Sequence, residues 1–76
     1  MSDLLKRLIE EFTHDNKETW QDKEVGRFVV YAIKTIFGEV RWTEGRNGQM
    51  ALGAIIWMPD EERDAAWARF QLEKES

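Results

Sequence analysis

The chain contains 76 residues, carries a net charge of −4 and has no cysteine. This length is enough for one domain with a small core, and without cysteine neither a disulfide nor a thiolate metal site can add stability. No apolar run is long enough to cross a bilayer, so the sequence predicts a cytoplasmic protein and excludes a membrane-spanning one.

The charge is unevenly distributed along the chain. Residues 1–24 hold seven acids and four bases, residues 25–58 hold two acids and four bases, and residues 59–76 hold six acids and three bases. Both ends are therefore acidic, and no dense cluster of lysine and arginine is available for phosphate contacts. This distribution disfavours nucleic-acid binding and favours docking on a basic partner.

Two helices are predicted in the first half of the chain. Apolar residues recur at helical spacing over residues 3–13 and again over residues 25–37. A strand could not place either set on one face, because its side chains alternate with a period of two. The second helix is expected to begin near Thr19 or Asp22 and to end at Gly38, where glycine favours a left-handed C-terminal cap.

A β-hairpin is predicted next. Asn47-Gly48 is a strong signal for a type I′ turn, which needs positive φ at both central residues. We therefore predict two antiparallel strands, over residues 39–44 and 49–58. The face expected to pack on the helices carries Val40, Trp42, Ala51, Gly53, Ile55 and Trp57.

A final helix is predicted over residues 60–73. Pro59 cannot donate a hydrogen bond to a sheet and ends the second strand. Three acids then occupy the first helical turn, where the helix dipole favours carboxylates. The complete prediction is an α+β fold of the order α-α-β-β-α, with a two-stranded hairpin packed against helices.

The second predicted strand is apolar on both faces, unlike a strand that has one face in water. Either the helices cover both faces within the chain, or one face is a docking surface for another protein. Methionine suits docking because its flexible side chain adapts to different shapes. The candidate docking residues on that face are Met50, Leu52, Ile56 and Met58.

The four tryptophans divide into two predicted pairs. Trp42 and Trp57 are expected to stack in the core on one face of the hairpin. Trp20 lies before a helical stripe and Trp67 lies on a narrow one, so either is a candidate for a partly exposed binding anchor.

The sequence offers little for catalysis. It has one histidine, and its serines occur only at positions 2 and 76, which excludes Ser-His and Cys-His pairs. Glu11 and His14 have the Glu-x-x-His spacing of di-iron bundles, but such a site needs a second copy and two further glutamates. We therefore expect no enzyme activity, no metal and no cofactor.

The leading hypothesis is a non-catalytic protein-interaction module. It would bind through the apolar hairpin face and through exposed acids, for which the candidates are Glu10, Glu11, Glu61 and Glu62. A small acidic chain suits a phage- or mobile-element-encoded inhibitor of a host nucleic-acid machine, such as an anti-CRISPR-like protein. Its carboxylates would mimic phosphate in a basic groove.

Two alternatives remain at this stage. The first is a winged-helix-like nucleic-acid-binding protein, with the hairpin as the wing and Arg41 and Arg46 on the phosphates. The second is a homodimeric structural or adaptor protein that pairs through the hairpin, because a two-stranded sheet has exposed edges.

Overall fold

Four α-helices account for the regular structure of residues 3–14, 19–38 and 45–75, which are the residues that a computed structural model of the protein describes. A π-helical segment, Ile33–Phe37, directly continues the second helix. The described residues contain no strand, so the predicted α+β class is wrong and the fold is all-α. The helices are α1 (Asp3–Phe12), α2 (Lys23–Ala32), α3 (Gly45–Ile56) and α4 (Asp60–Glu75).

The predicted hairpin is wrong where the structure describes it. Asn47 and Gly48 lie in the first turn of α3 and not in a type I′ turn. The predicted second strand, residues 49–58, is helical through Ile56 and ends in a turn. The predicted first strand, residues 39–44, lies outside the described residues, as does Trp42.

Burial explains why this segment is helical. Over residues 48–56 of α3, the buried residues are Gly48, Ala51, Leu52 and Ile55, which lie at positions i, i+3, i+4 and i+7. A helix satisfies its own backbone hydrogen bonds, whereas an isolated two-stranded hairpin is only marginally stable. The segment is apolar on both faces of the predicted strand because it is a helix with one buried side and one exposed apolar side.

The other three helices confirm the sequence predictions. The Asp22 side chain caps α2 by accepting a hydrogen bond from the Val25 backbone N–H at 3.2 Å. Gly38 adopts the expected left-handed conformation, with φ of 69°, and its N–H bonds to the Ile33 carbonyl. α1 ends one residue before its predicted end, and α4 continues beyond its predicted end to Glu75.

The core lies where all four helices meet. Trp20, one of the two candidates for a partly exposed anchor, is buried against the backbone of α2 at Gly26. No helix among the described residues has the length and hydropathy to cross a membrane. The buried apolar side chains are Leu4, Leu8, Trp20, Val25, Phe28, Val29, Ala32, Ile33, Ala51, Leu52, Ile55, Ala66 and Phe70.

Candidate functional site

The five apolar residues predicted to bind a partner do not share one surface. Leu52 is fully buried in the core. Ile56, Met58 and Trp67 are half-buried and pack against the core. Met50 is 53% exposed and is therefore the member of the predicted set that is most available to another chain.

The four predicted acidic residues also separate. Glu10, Glu61 and Glu62 are exposed on their helices. Glu11 is only 6% exposed, and its two carboxylate oxygens accept the backbone N–H groups of Gln21 and Asp22, both at 2.9 Å. Glu11 therefore fixes the approach of the chain to α2 and is not part of an acidic surface.

The predicted wing is also absent from the described residues. Arg46 lies in the first turn of α3 instead of at the tip of a hairpin. Arg41 lies outside the described residues. Since residues 45–56 are helical, the predicted geometry for placing Arg46 on a nucleic-acid backbone is not formed.

An exposed apolar stripe runs along α3. Met50, Ala54 and Trp57 lie at positions i, i+4 and i+7, and all three are exposed. Trp57, predicted to lie in the core, is 88% exposed. Sequence reasoning missed this residue because it assumed a strand, although the helical spacing from Met50 to Trp57 is visible in the sequence.

Helix α1 extends this stripe sideways. Phe12 and Ile9 lie one turn apart on α1, and each is about 40% exposed. Phe12 packs on α3 so closely that a Cβ atom at Gly53 would lie 3.2 Å from Phe12 Cε2, and the Gln49 side-chain amide donates to the Phe12 carbonyl. We call the combined surface the α1/α3 face; it consists of Ile9, Phe12, Met50, Ala54 and Trp57.

The α1/α3 face is as extensive as the largest apolar patch of a typical monomeric protein. Trp57 alone contributes roughly 200 Å², since an aromatic residue offers about 150–250 Å² for burial. The whole face presents roughly 400 Å² of apolar surface, and patches of a few hundred Å² are often functional. From Asn47 to Pro59 the sequence contains no charged residue, so the α3 part of the face is also uncharged.

A separate ionic cluster joins α1, α2 and α4. The Arg7 guanidinium donates to Asp22 and to Glu24, each at 2.8 Å, and Lys74 on α4 pairs with the other Glu24 oxygen. The Arg7 guanidinium also lies over the Trp67 ring, 5.5 Å from its centroid. Phe28 and Phe70 also contact the Trp67 ring from the core, so Trp67 is half-buried, and its role as a partly exposed anchor stays a prediction.

The ionic cluster holds its carboxylates in the charged form. The hydrogen bonds from Lys74, Arg7 and Gln71 lower the pKa of Glu24 to about 2. The hydrogen bond from Arg7 lowers the pKa of Asp22, and both carboxylates in turn raise the pKa of Arg7. Because all of these groups are paired with one another across three helices, we interpret the cluster as a structural clamp.

A shallow polar groove of about 450 Å³ lies beside this clamp, between the end of α1 and the start of α2. Two carboxylates that line it, Glu11 and Asp22, already bond to backbone N–H groups. Within the part of the chain that the structure describes, no group of three or more His, Cys, Asp or Glu side chains is arranged to hold a metal ion. The groove therefore gives no basis for assigning a reaction or a ligand.

Comparison with protein-family models, with curated proteins and with solved structures finds no match to this chain.

Proposed function

We propose that this protein is a non-catalytic protein-binding module and that the α1/α3 face is its binding surface. The observation that carries this proposal is the 88% exposure of Trp57 within a charge-free apolar stripe. Burial of a large apolar side chain stabilises a complex by about 1.5–3 kcal/mol. Tryptophan is also enriched among the residues that dominate protein interfaces.

Trp57 is presented at a defined position. Its N–H bonds to the Gly53 carbonyl at 3.1 Å, so it continues the geometry of α3. The following carbonyl, that of Met58, accepts a hydrogen bond from the buried Arg63 guanidinium at 2.9 Å. Because these bonds already fix the backbone around Trp57, little backbone freedom is lost when its side chain binds a partner, which favours affinity.

The partner is expected to be another protein in the cytoplasm. The chain has no cysteine nucleophile and one histidine, which supports a binding role over an enzymatic one. The absence of cysteine also suits a reducing compartment.

The test compares two exposed apolar residues. We expect Trp57→Ser to reduce capture of specific partners from an extract of the native cell by about 10-fold or more, because loss of a central tryptophan commonly costs 2 kcal/mol or more. The matched control is Leu72→Ser, since Leu72 is apolar and 69% exposed on α4. Captured proteins are quantified by mass spectrometry, and thermal unfolding checks that both variants fold. Equal capture by Trp57→Ser and the unaltered protein would contradict the proposal.

A second candidate follows from the first turn of α4. Arg63 is 2% exposed, so the exposed side chains of residues 60–64 are all acidic, and the nearest exposed base, Arg69, lines a shallow groove with Glu62. Such a surface supports docking on the basic groove of a nucleic-acid machine, as a phage- or mobile-element-encoded inhibitor would do. In the same capture experiment, this candidate predicts loss of the partner at high salt and in Glu61→Lys/Glu62→Lys, with Trp57→Ser unchanged.

A further inference from the structure

Arg63 is a buried cation at the corner where the chain turns from α3 into α4. It is only 2% exposed, although the other residues in the first turn of α4 are exposed acids. Arginine is almost never fully buried unless it is paired, because removing its charge from water is costly. The charged partner that the structure shows for it is Asp60, whose side chain is 83% exposed.

Stability alone does not account for an arginine at this position. An ion pair with an exposed carboxylate contributes little, because water screens it. Among the described residues, the buried Nε–H of Arg63 has no hydrogen-bond partner, and an unsatisfied buried donor is itself costly. An apolar side chain of similar size in place of a buried ion is often equally stable or more so.

Arg63 bonds to three consecutive residues of the corner. Its Nη1 donates to the Met58 carbonyl at 2.9 Å and to the Asp60 carboxylate at 3.0 Å. Its Nη2 donates to the same Asp60 oxygen at 2.5 Å, and its backbone N–H donates to the Pro59 carbonyl at 3.0 Å. These bonds fix the direction in which the chain leaves α3.

Trp57 lies directly before these three residues. It follows Ile56, the last residue of α3, and helix ends fray where their free carbonyls are not bonded. The Met58 N–H bonds back to the Ile55 carbonyl at 3.2 Å, and the Met58 carbonyl is held by Arg63. The backbone that carries the exposed Trp57 side chain is therefore fixed on both sides of Met58.

We propose that Arg63 and Asp60 form a latch that positions Trp57 for binding. Arg63 is the positioning residue, and Asp60 orients its guanidinium. This inference rests on the proposed function, because it assigns a positioning pair to the same binding surface. A corner without the latch would have to be ordered when a partner binds, and this ordering weakens affinity.

Arg63→Met separates positioning from stability. Methionine removes the buried charge and leaves Asp60 in water, so we expect the melting temperature to stay within about 5 °C of that of the unaltered protein. We expect the backbone amides of Trp57 and Met58 to exchange hydrogen at least about 5-fold faster, as measured by NMR, while the buried Val29 keeps its rate. Capture of specific partners from an extract of the native cell should fall by about 3- to 10-fold.

Asp60→Ala tests the latch from the exposed side, with Glu61→Ala as its matched control. Each change removes one exposed acid from the first turn of α4, so their effects on the helix dipole are similar. Of the two acids, Asp60 is the one that accepts hydrogen bonds from Arg63. We expect the Met58 amide to exchange about 3-fold faster in Asp60→Ala and at an unchanged rate in Glu61→Ala.

The outcomes separate this inference from the proposed function. Full capture by Arg63→Met and Asp60→Ala, with capture lost in Trp57→Ser, overturns the latch and leaves the binding module. Capture that Trp57→Ser does not change overturns the proposed function and, with it, the binding role of the latch. A large loss of stability in Arg63→Met, with exchange at Trp57 and Met58 unchanged in Asp60→Ala, overturns the latch, because Arg63 then serves only the fold.

Discussion

Trp20 packs directly on the backbone of α2 at Gly26. A Cβ atom at position 26 would lie 2.7 Å from Trp20 Cδ1 and 2.8 Å from Trp20 Cβ, closer than such atoms can approach. Trp20 is buried and has little room to move away. Glycine at this position therefore allows a tryptophan from the preceding loop to close one side of the core.

This contact makes Gly26→Ala destabilising although alanine favours helices. We expect the free energy of unfolding to fall by about 2 kcal/mol, because overpacking costs about 1–3 kcal/mol and exceeds the gain in helix propensity. Chemical denaturation measures the change. In a Trp20→Ala background the same substitution should have no cost, since the Cβ then has space. An equal cost in both backgrounds would show that Trp20 does not restrict this position.

At the scale of the element, α3 determines both the core and the exposed face. Residues of a strand two positions apart share a face, whereas on a helix they point about 200° apart. Met50 and Leu52 are such a pair, and on α3 Met50 is exposed while Leu52 is fully buried. The same segment thus contributes to the interior and to the surface proposed for binding.

Substitutions at this pair distinguish a helix from a strand. We expect Leu52→Ala to destabilise the protein by about 2–5 kcal/mol, as is typical for a buried leucine. We expect Met50→Ala to change the stability by less than about 0.5 kcal/mol, as is typical for surface positions. Urea unfolding at a concentration where the protein is monomeric measures both values. Similar losses at the two positions would support a shared face and contradict the helix.

At the scale of the whole molecule, the ionic clamp connects helices that are distant in sequence. Glu24 on α2 bonds to Arg7 on α1 and to Lys74 on α4. Its pKa is lowered from 4.5 to about 2, so its charged form is preferred more strongly in the folded state than in the unfolded state. The stabilisation is therefore fully present above about pH 4.5 and is lost as the pH falls toward 2.

The lowered pKa of Glu24 predicts how the stability of the protein depends on pH. We expect Glu24→Gln to lower the free energy of unfolding by about 1 kcal/mol at pH 7, a modest value because solvent screens these partly exposed side chains. Near pH 2 the variant and the unaltered protein should differ little, since protonation removes the same charge. Unfolding curves at both pH values test this, with Glu75→Gln at the exposed end of α4 as the control. A difference that persists unchanged in acid would rule out the charge as its cause.

The sequence by itself determined three of the four helices. The apolar stripes of α1 and α2 repeat at helical spacing, and Asp22 and Gly38 carry the cap chemistry that the structure uses. The acids that follow Pro59 likewise begin α4 as expected. These signals are local, because each depends on side chains within a few residues of the backbone that they fix.

Only the tertiary structure decided that the segment of α3 is a helix and not a strand, and this in turn determined the candidate site. Residues 48–58 are apolar at both strand and helix spacing, so their periodicity does not choose between the two. Whether the segment is a helix or a strand depends on which of its sides α1, α2 and α4 cover. The packing of the helices also buries Trp20 and Glu11 and leaves Trp57 exposed, although Trp57 was predicted to lie in the core. Burial is a non-local property, because it depends on residues far apart in the chain, and for this reason the exposed face around Trp57 could not be derived from the sequence.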